Sequence, residues 1–249
     1  MLSIYNRETA TIAACLGKGG NMDIGSKLVE ELQVENVFTI PIFGGIPISE
    51  TVVVTWIIMG VTVLLSVFLT HGFRVENPSK RQEFMEAAVT GLQNVVRSFM
   101  DEKGEAYVEY LTSIMLFLGI ANLIGILGFK PPTKDLNMTA CLAIMSIILV
   151  QAAGIRQKGV KGWAKSFAKP MAFIAPLNVL EIVIKPLSLC MRLFGNVLGS
   201  FVIMELIELV VPIFVPVVLS MYFDVFDGLI QAYVFVFLTG LYIGESTED

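Results

Sequence analysis

The stretch KPLSLCMRLFGNVLGSFVIM, from Lys185 to Met204, decides the fold because nearly all of it has the composition of a membrane helix. A transmembrane helix needs about 20 predominantly apolar residues, and Pro186 to Met204 meet that requirement. Arg192 nevertheless stands inside the run. A guanidinium at the centre of a bilayer costs about 2.5–3.5 kcal/mol on insertion scales. An arginine kept at that cost requires a partner or a function.

The whole chain has the composition of a multi-pass membrane protein. Of its 249 residues, 55% are hydrophobic and only 16% are charged, whereas soluble domains carry about 25% charged residues. The apolar runs are long and do not alternate as barrel strands do, so we expect an all-α fold. Nothing in the composition or in the net charge of −5 supports nucleic-acid binding.

We predict five spanning helices and one surface helix. The predicted spans are Ile48–His71, Tyr107–Phe129, Leu136–Ile155, residues 177–211 and Val217–Gly244. Glu83–Glu102 has helical periodicity but is too polar to span, which predicts a helix along the membrane surface. Two prolines in Val211–Pro216 place the last turn there, because proline disrupts a helix interior. Residues 1–47 are expected to form an external segment and 48–249 one transmembrane domain, with the long hairpin 177–244 as its key part.

Basic residues set the predicted orientation. Three follow the first span (Arg74, Lys80 and Arg81), and five without an acid follow the third (Arg156, Lys158, Lys161, Lys165 and Lys169). The positive-inside rule places both segments in the cytoplasm, so the N-terminus lies outside and the C-terminus inside. The expected location of this multi-pass protein is a bacterial cell membrane. Met22 is an alternative start to Met1, since the first residues make a poor signal peptide.

The chain lacks the usual patterns for metal or nucleotide sites. Cys15, Cys141 and Cys190 have no paired spacing, and His71 is the single histidine. We therefore expect no disulfide, no metal site and no cofactor. The absence of a Walker-type glycine loop argues against a nucleotide site.

Polar side chains of the arginine helix fall on one stripe. With 100° per residue, Glu181, Lys185, Ser188 and Asn196 all lie within about 40° of Arg192. The stripe has a purely structural interpretation, as polar contacts between packed helices, and Glu181 can pair with Lys185 at i, i+4. That interpretation leaves Arg192 unexplained, because no acid on this helix is near enough to neutralise it. We favour an arginine that meets a carboxylate from another helix or chain.

Acidic residues of the last two spans form a second candidate set. Glu205 and Glu208 lie on the opposite side of the arginine helix, while Asp224, Asp227 and Gln231 share one face of the last helix. An acid in a span needs water, a cation or a proton partner. Glu205, Asp224 and Asp227 are therefore predicted to line a water-filled path open to the outside. Glu208 and Asp224 have the alternative of lying close enough to the outer interface to be solvated.

The run KPLSLCMRLFGN resembles subunit a of the F-type ATP synthase, where K-P-x-S-L-x-x-R-L-F-G-N carries an indispensable arginine. Two further segments are similar to this family. Leu229–Ile243, LIQAYVFVFLTGLYI, resembles its closing helix, and Asn77–Val89, NPSKRQEFMEAAV, resembles the segment after its first span. The likeness covers roughly residues 36–244.

This resemblance implies a stator subunit that faces a rotating ring of c subunits, each with a carboxylate in mid-membrane. Arg192 would be the ring-facing charge, with Asn196 as its polar neighbour and Gln231 as its partner across the hairpin. Glu181 and Ser188 would line the ion path with them. The partners implied are the c ring, the b subunits of the peripheral stalk, the other synthase subunits and the lipid bilayer.

The implied activity is ion translocation through two half-channels, coupled to rotation and to ATP synthesis elsewhere in the complex. The chain itself would be no enzyme. A carboxylate opposite Arg192 would give up its ion on one side, pass the arginine as a paired anion, and reload from the other side. Arginine suits this role because it does not deprotonate in proteins.

Two positions depart from the family pattern. Many members carry a glutamate where this chain has Phe201, and Glu205, one turn later on the same face, is the candidate replacement. A common bacterial variant has histidine where this chain has Asp224. A carboxylate there also favours a metal cation, so H⁺ and Na⁺ both stay open as the coupling ion, as does the number of c subunits.

Two other classes of protein also fit parts of the sequence. A stand-alone secondary transporter or ion channel would place an arginine and acids in mid-membrane, although such folds often show inverted repeats, which we do not find in this sequence. A purely structural membrane subunit would tolerate Arg192→Leu.

Overall fold

The chain folds as the predicted all-α membrane protein. The computed structural model describes residues 36–40, 46–74, 79–100, 102–127, 131–166, 175–210, 219 and 221–247. Within these ranges five helical segments are long and apolar enough to cross a membrane, at Glu50–Thr70, Gly104–Ile126, Leu136–Trp163, Leu180–Met204 and Met221–Thr247. The helices are α1 (Glu50–Thr70), α2 (Lys80–Arg97), α3 (Val108–Leu123), α4 (Leu136–Ser166), α5 (Ala175–Val210) and α6 (Gly228–Thr247).

A short β-hairpin precedes the first helix, which the sequence analysis did not predict. Strand β1 (Asn36–Ile40) pairs antiparallel with β2 (Ile46–Ser49), so that Ile40 lies opposite Ile46. An isolated two-stranded hairpin is only marginally stable in water. The hairpin lies in and directly after the predicted external segment 1–47, of which residues 1–35 and 41–45 lie outside the described residues.

Helix α1 has the properties of a lipid-facing span. It contains 21 residues with a mean hydropathy of 2.6 in its most apolar window, and few of those residues are buried in the protein. Four of its hydroxyls form hydrogen bonds within the helix. Those of Thr55, Thr62, Ser66 and Thr70 each donate to the carbonyl oxygen four residues earlier, at 2.7–2.8 Å. Such bonds suit a helix in lipid, where water is not available to the hydroxyls.

Helix α2 is the predicted surface helix, but it begins and ends earlier than predicted. Ser79 caps its start, since the hydroxyl of Ser79 accepts a hydrogen bond from the backbone N–H of Gln82. The Gln82 amide bonds both backbone groups of Arg74, at 3.1 Å each, and so ties the start of α2 to the end of α1. After Arg97 the chain turns through Glu102–Tyr107, a 3₁₀ helix, into α3.

The core lies where α3, α4 and α6 pack together, with α5 on the outside of α4. Its most completely buried large side chains include Leu111 and Leu118 of α3, Phe235 and Ile243 of α6, and Leu193 of α5. These side chains are apolar and bring the outer helix into the same core. Each fully buried aliphatic or aromatic side chain contributes about 1.5–3 kcal/mol relative to an aqueous reference.

The span of α4 continues three residues past the predicted end at Ile155 and is then interrupted at Gly159, whose φ of 71° and ψ of 163° are not helical and favour glycine. A second helical stretch follows the kink. Beyond the bend the indole N–H of Trp163 donates to the side-chain oxygen of Gln151 at 2.9 Å, so the last turns fold back on the span. The basic segment that the sequence analysis treated as a loop is therefore helical up to Ser166.

Helix α5 contains 36 residues and passes through Pro186 without ending. At 1.5 Å per residue it is about 54 Å long, well beyond the roughly 30 Å of a hydrocarbon core. The predicted helix of 177–211 is confirmed to within two residues at its start. The predicted turn at Val211–Pro216 lies outside the described residues.

The last span begins with a wider π-type turn at Met221–Asp227 and continues as α6 to Thr247. The predicted end at Gly244 was wrong, because the first three residues of the acidic tail complete the helix. Ser246 donates to the carbonyl of Val150 at 3.1 Å, and Thr247 is buried. These contacts dock the end of α6 against α4.

The packing of α6 against the loop before α3 generates a test of the fold. A Cβ at Gly240 would lie 2.8 Å from a ring carbon of Phe99 and 2.9 Å from the sulfur of Met100, whereas one at Gly60 would meet nothing within 4 Å. We expect Gly240→Ala to destabilise the chain by about 1–3 kcal/mol through overpacking. The matched change Gly60→Ala should be neutral or stabilising, since alanine is the better helix former. Thermal unfolding of the purified full chain in detergent measures both; equal midpoints would contradict this packing.

Candidate functional site

Three of the predicted site residues meet between the last two helices. The side-chain amide of Asn196 donates to the Oδ2 of Asp227 at 2.8 Å and to the Oε1 of Gln231 at 3.3 Å. Asp227 ends the wider turn and Gln231 follows in the first turn of α6, so the i, i+4 spacing turns both towards α5. Asp227 and Gln231 therefore share one face of the last span, and this face meets the polar stripe of α5 at Asn196.

Gln231 has an unused hydrogen-bonding group. Its side chain is only 5% exposed, and its Nε2 has no hydrogen-bond partner in the described part of the chain. Buried polar atoms are nearly always hydrogen-bonded, so an orphaned amide donor marks a place for an acceptor from outside. Water or a carboxylate of a neighbouring molecule has the required chemistry.

Arg192 lies on α5 four residues before Asn196, and it is exposed. Within the described ranges its guanidinium forms no ion pair or hydrogen bond. The neighbouring Leu189 and Leu193 are 2% and 0% exposed, whereas Leu187 and Met191 are 58% and 53% exposed. Helix α5 therefore buries one side against the bundle and presents Arg192 together with an apolar surface on the other.

Glu181 lies in a different polar cluster, about 16 Å from Arg192 along the helix axis. The Nζ of Lys185 is 3.4 Å from the Oε2 of Glu181 and 2.6 Å from the Oε2 of Glu245. It also lies 4.9 Å above the ring of Tyr242. The predicted pair of Glu181 with Lys185 is therefore present, but the shorter contact is to an acid that had been assigned to the tail.

The other candidate residues lie on α5 and in the wider turn before α6. Ser188 is half-buried on α5, one turn before Arg192. Glu205 lies in α5 and Asp224 in the wider turn before α6, but their side chains lie outside the described part of the structure, as does that of Glu208. Their role as lining of a path open to the outside stays a prediction.

A buried amide on α3, which was not among the candidate site residues, fixes the start of α6. Asn122 of α3 donates to the carbonyl of Gly228 at 2.8 Å and accepts from the hydroxyl of Thr133 at 2.9 Å. A Cβ at Gly228 would lie 2.9 Å from the Cβ of Asn122, so the two helices approach closely there. Because Gly228 directly follows Asp227, this contact helps to position the acid. The only signal in the sequence was a lone amide in an apolar span.

Arg192 places a fixed positive charge four residues before the polar junction of Asn196, Asp227 and Gln231. Arginine stays protonated in proteins, while the amides of Asn196 and Gln231 are neutral and Asp227 supplies the acid. The cation is open to a partner on the outer surface of α5, and the junction offers both donors and acceptors. The arginine can therefore bind an anionic group, and the junction can bind water or a small cation.

Comparison with known proteins identifies relatives over most of the chain. Residues 52–244 match the ATP synthase A chain family. ATP synthase subunit a of Moorella thermoacetica is 38% identical over 80% of this chain and 91% of its own length. ATP synthase subunit a 1 of Pelobacter propionicus is 35% identical over 81% of this chain and 89% of its own length. The chloroplastic ATP synthase subunit a of Oedogonium cardiacum is 34% identical over 81% of this chain and 83% of its own length.

The contact between Asn196 and Asp227 can be measured as a coupling energy. Hydrogen bonds between membrane helices contribute about 0.6 kcal/mol on average and up to about 1.7. We expect a coupling in that range when Asn196→Ala and Asp227→Ala are combined in a double-mutant cycle of unfolding in detergent. A control cycle that combines Asn196→Ala with Glu109→Ala on helix α3 should show no coupling energy. No coupling between Asn196 and Asp227 would show that the junction is absent.

Proposed function

This chain belongs to the ATP synthase A chain family, and we propose that its own Arg192 acts on the carboxylates of a c ring. Its relatives identify it as an ATP synthase subunit a, a membrane component of that complex. In the proposal, two half-channels carry H⁺ or Na⁺ to and from the ring and couple ion flow to rotation and ATP synthesis. Nucleotide chemistry takes place in other subunits.

The observation that carries the proposal is the open face of Arg192. The guanidinium is exposed and has no partner in the described ranges, although a charge in a membrane helix is stable only with a partner, water or an interface. The surface around it is apolar, with Leu187 and Met191 largely exposed. A neighbouring helix that is apolar except for one carboxylate would cover such a surface and neutralise the charge.

The arginine would work by favouring the ionised form of the ring carboxylate. As a loaded carboxylate approaches Arg192, the fixed cation stabilises the anion and releases the bound ion into the half-channel on the cytoplasmic side. The paired anion then passes the arginine and reloads from the outer side. Arginine neither accepts nor releases a proton here, so it also separates the two half-channels.

The residues around Arg192 divide between the two paths. Asn196, Asp227 and Gln231 meet on one side of it along α5, which supports their assignment to the outer half-channel together with Glu205 and Asp224. Ser188 and Glu181 lie on the other side along the same stripe, and we assign them to the inner half-channel. The orphaned Nε2 of Gln231 supports a hydrated outer path.

The proposal includes an orientation and further partners. Basic residues at the ends of α1 and α4 favour an N-terminus outside and a C-terminus in the cytoplasm of a bacterial cell. The length of α5 supports a strong tilt, which would let it follow the curved surface of a ring. The b subunits of a peripheral stalk would hold the chain still while the ring turns.

Arg192→Gln tests the central role. We expect ATP-driven ion uptake into membrane vesicles to be abolished while the complex still assembles, because a neutral amide cannot stabilise the passing carboxylate. Arg97→Gln makes the same chemical change at an exposed ion pair with Glu105 and should leave uptake unchanged. Normal uptake in Arg192→Gln would refute the proposal.

Cysteine labelling tests the outer path. In a background without the three native cysteines, cysteines at Glu205 and Asp224 should react with membrane-impermeant thiol reagents added outside, because hydration exposes and ionises the thiol. A cysteine at Leu198 should react much more slowly. Equal inertness at all three positions would exclude a path lined by these acids.

A further inference from the structure

The second polar cluster joins the same two helices at the opposite end of the hairpin. Lys185 of α5 contacts Glu245 in the last turn of α6 at 2.6 Å, and its side chain is only 22% exposed. The short distance makes this a charge-assisted hydrogen bond, in which Lys185 is mostly covered and half of the Glu245 side chain is exposed. Glu245 lies one residue beyond the range that matches the family.

The last turn of α6 is also fixed to α4. The hydroxyl of Ser246 donates to the carbonyl of Val150 at 3.1 Å, and the backbone oxygen of Ser246 lies 3.2 Å from where a Cβ on Gly154 would be. Thr247 is 4% exposed. At its end α6 therefore contacts both α4 and α5, and the contact with α5 is made by Lys185.

The two polar junctions flank Arg192. Lys185 precedes it by about 10.5 Å and Asn196 follows it by about 6 Å along α5. Because the helices run in opposite directions, the contacts pair Lys185 with the end of α6 and Asn196 with its beginning. The arginine thus stands between two cross-links, with its charge left free.

We infer that Lys185 and Glu245 are positioning residues that fix the axial register of α6 against α5 and thereby keep Asp227 and Gln231 at the level of Asn196. A slip of α6 by one residue would shift it by about 1.5 Å and turn it by about 100°, which would break the contacts of Asn196. The consequence for ion coupling rests on the proposed function; the register itself does not.

Cross-linking tests the register in the assembled complex. In a background without native cysteines, Asn196→Cys and Asp227→Cys would be bridged with a short bifunctional thiosulfonate reagent. These substitutions remove the contacts of Asn196 with α6, so the bridging yield then reports how well Lys185 and Glu245, together with the apolar packing, hold the register. We expect Glu245→Lys to lower the bridging yield several-fold through repulsion, and the addition of Lys185→Glu to restore much of it. We expect the recovery to be incomplete, because Lys185→Glu also places a carboxylate beside Glu181.

A matched control breaks an ion pair elsewhere. Glu105→Lys disrupts the exposed pair with Arg97, 3.4 Å apart, and should leave the bridging yield unchanged. Equal yields in the parent and Glu245→Lys, or no recovery in the charge swap, would overturn the inference.

A second measurement separates this inference from the proposed function. With the native Asn196 and Asp227 retained, Glu245→Lys should lower the ions taken up per ATP hydrolysed several-fold, and the charge swap should recover them. A loss that the swap does not recover would contradict positioning by this pair. If Arg192→Gln pumped normally while the bridging pattern held, the proposed function alone would fail.

Discussion

A permanent positive charge in a membrane helix must find its counter-charge somewhere, and Arg192 does not find it in the described part of this chain. The acid nearest to it along α5 is Glu181, roughly three turns away, and that acid contacts Lys185 instead. Asp227 contacts Asn196 rather than the arginine. The side of α5 that carries Arg192 faces away from the core. The charge is thus held ready for another molecule, and on the proposed function that molecule is the c ring.

The rest of the fold can be understood as a rigid support for this exposed charge. Helices α3, α4 and α6 form the core, and α5 enters it through Leu189 and Leu193, which directly follow the stripe residues Ser188 and Arg192. Asn122 fixes the beginning of α6 and the junction at Glu245 fixes its end. On the proposed function this charge acts on a moving ring and has to be held in place, since displacements of about 1 Å are enough to weaken a positioned contact.

Much of this architecture could be predicted from the sequence, because the bilayer allows few alternatives. The spans follow from length and hydropathy, and the shared face of Asp227 and Gln231 follows from helical spacing. The differences are specific: the hairpin before α1 was not predicted, a second helical stretch follows the kink at Gly159, and Glu245 extends α6 where an acidic tail was expected. Contacts between distant segments, such as Asn122 with Gly228, have no local signal. The axial register between two helices cannot be predicted from periodicity or helix propensity, because both are properties of a single segment.

The most direct test of the central claim is an experimental structure of the whole synthase that resolves the surroundings of Arg192. We expect a carboxylate of a neighbouring ring subunit within about 4 Å of the guanidinium, or one step of the ring away from it, with Lys185 and Asn196 still joined to α6 on either side. An Arg192 that pairs with an acid of its own chain, or that faces lipid with no ring beside it, would contradict the proposed role of this residue.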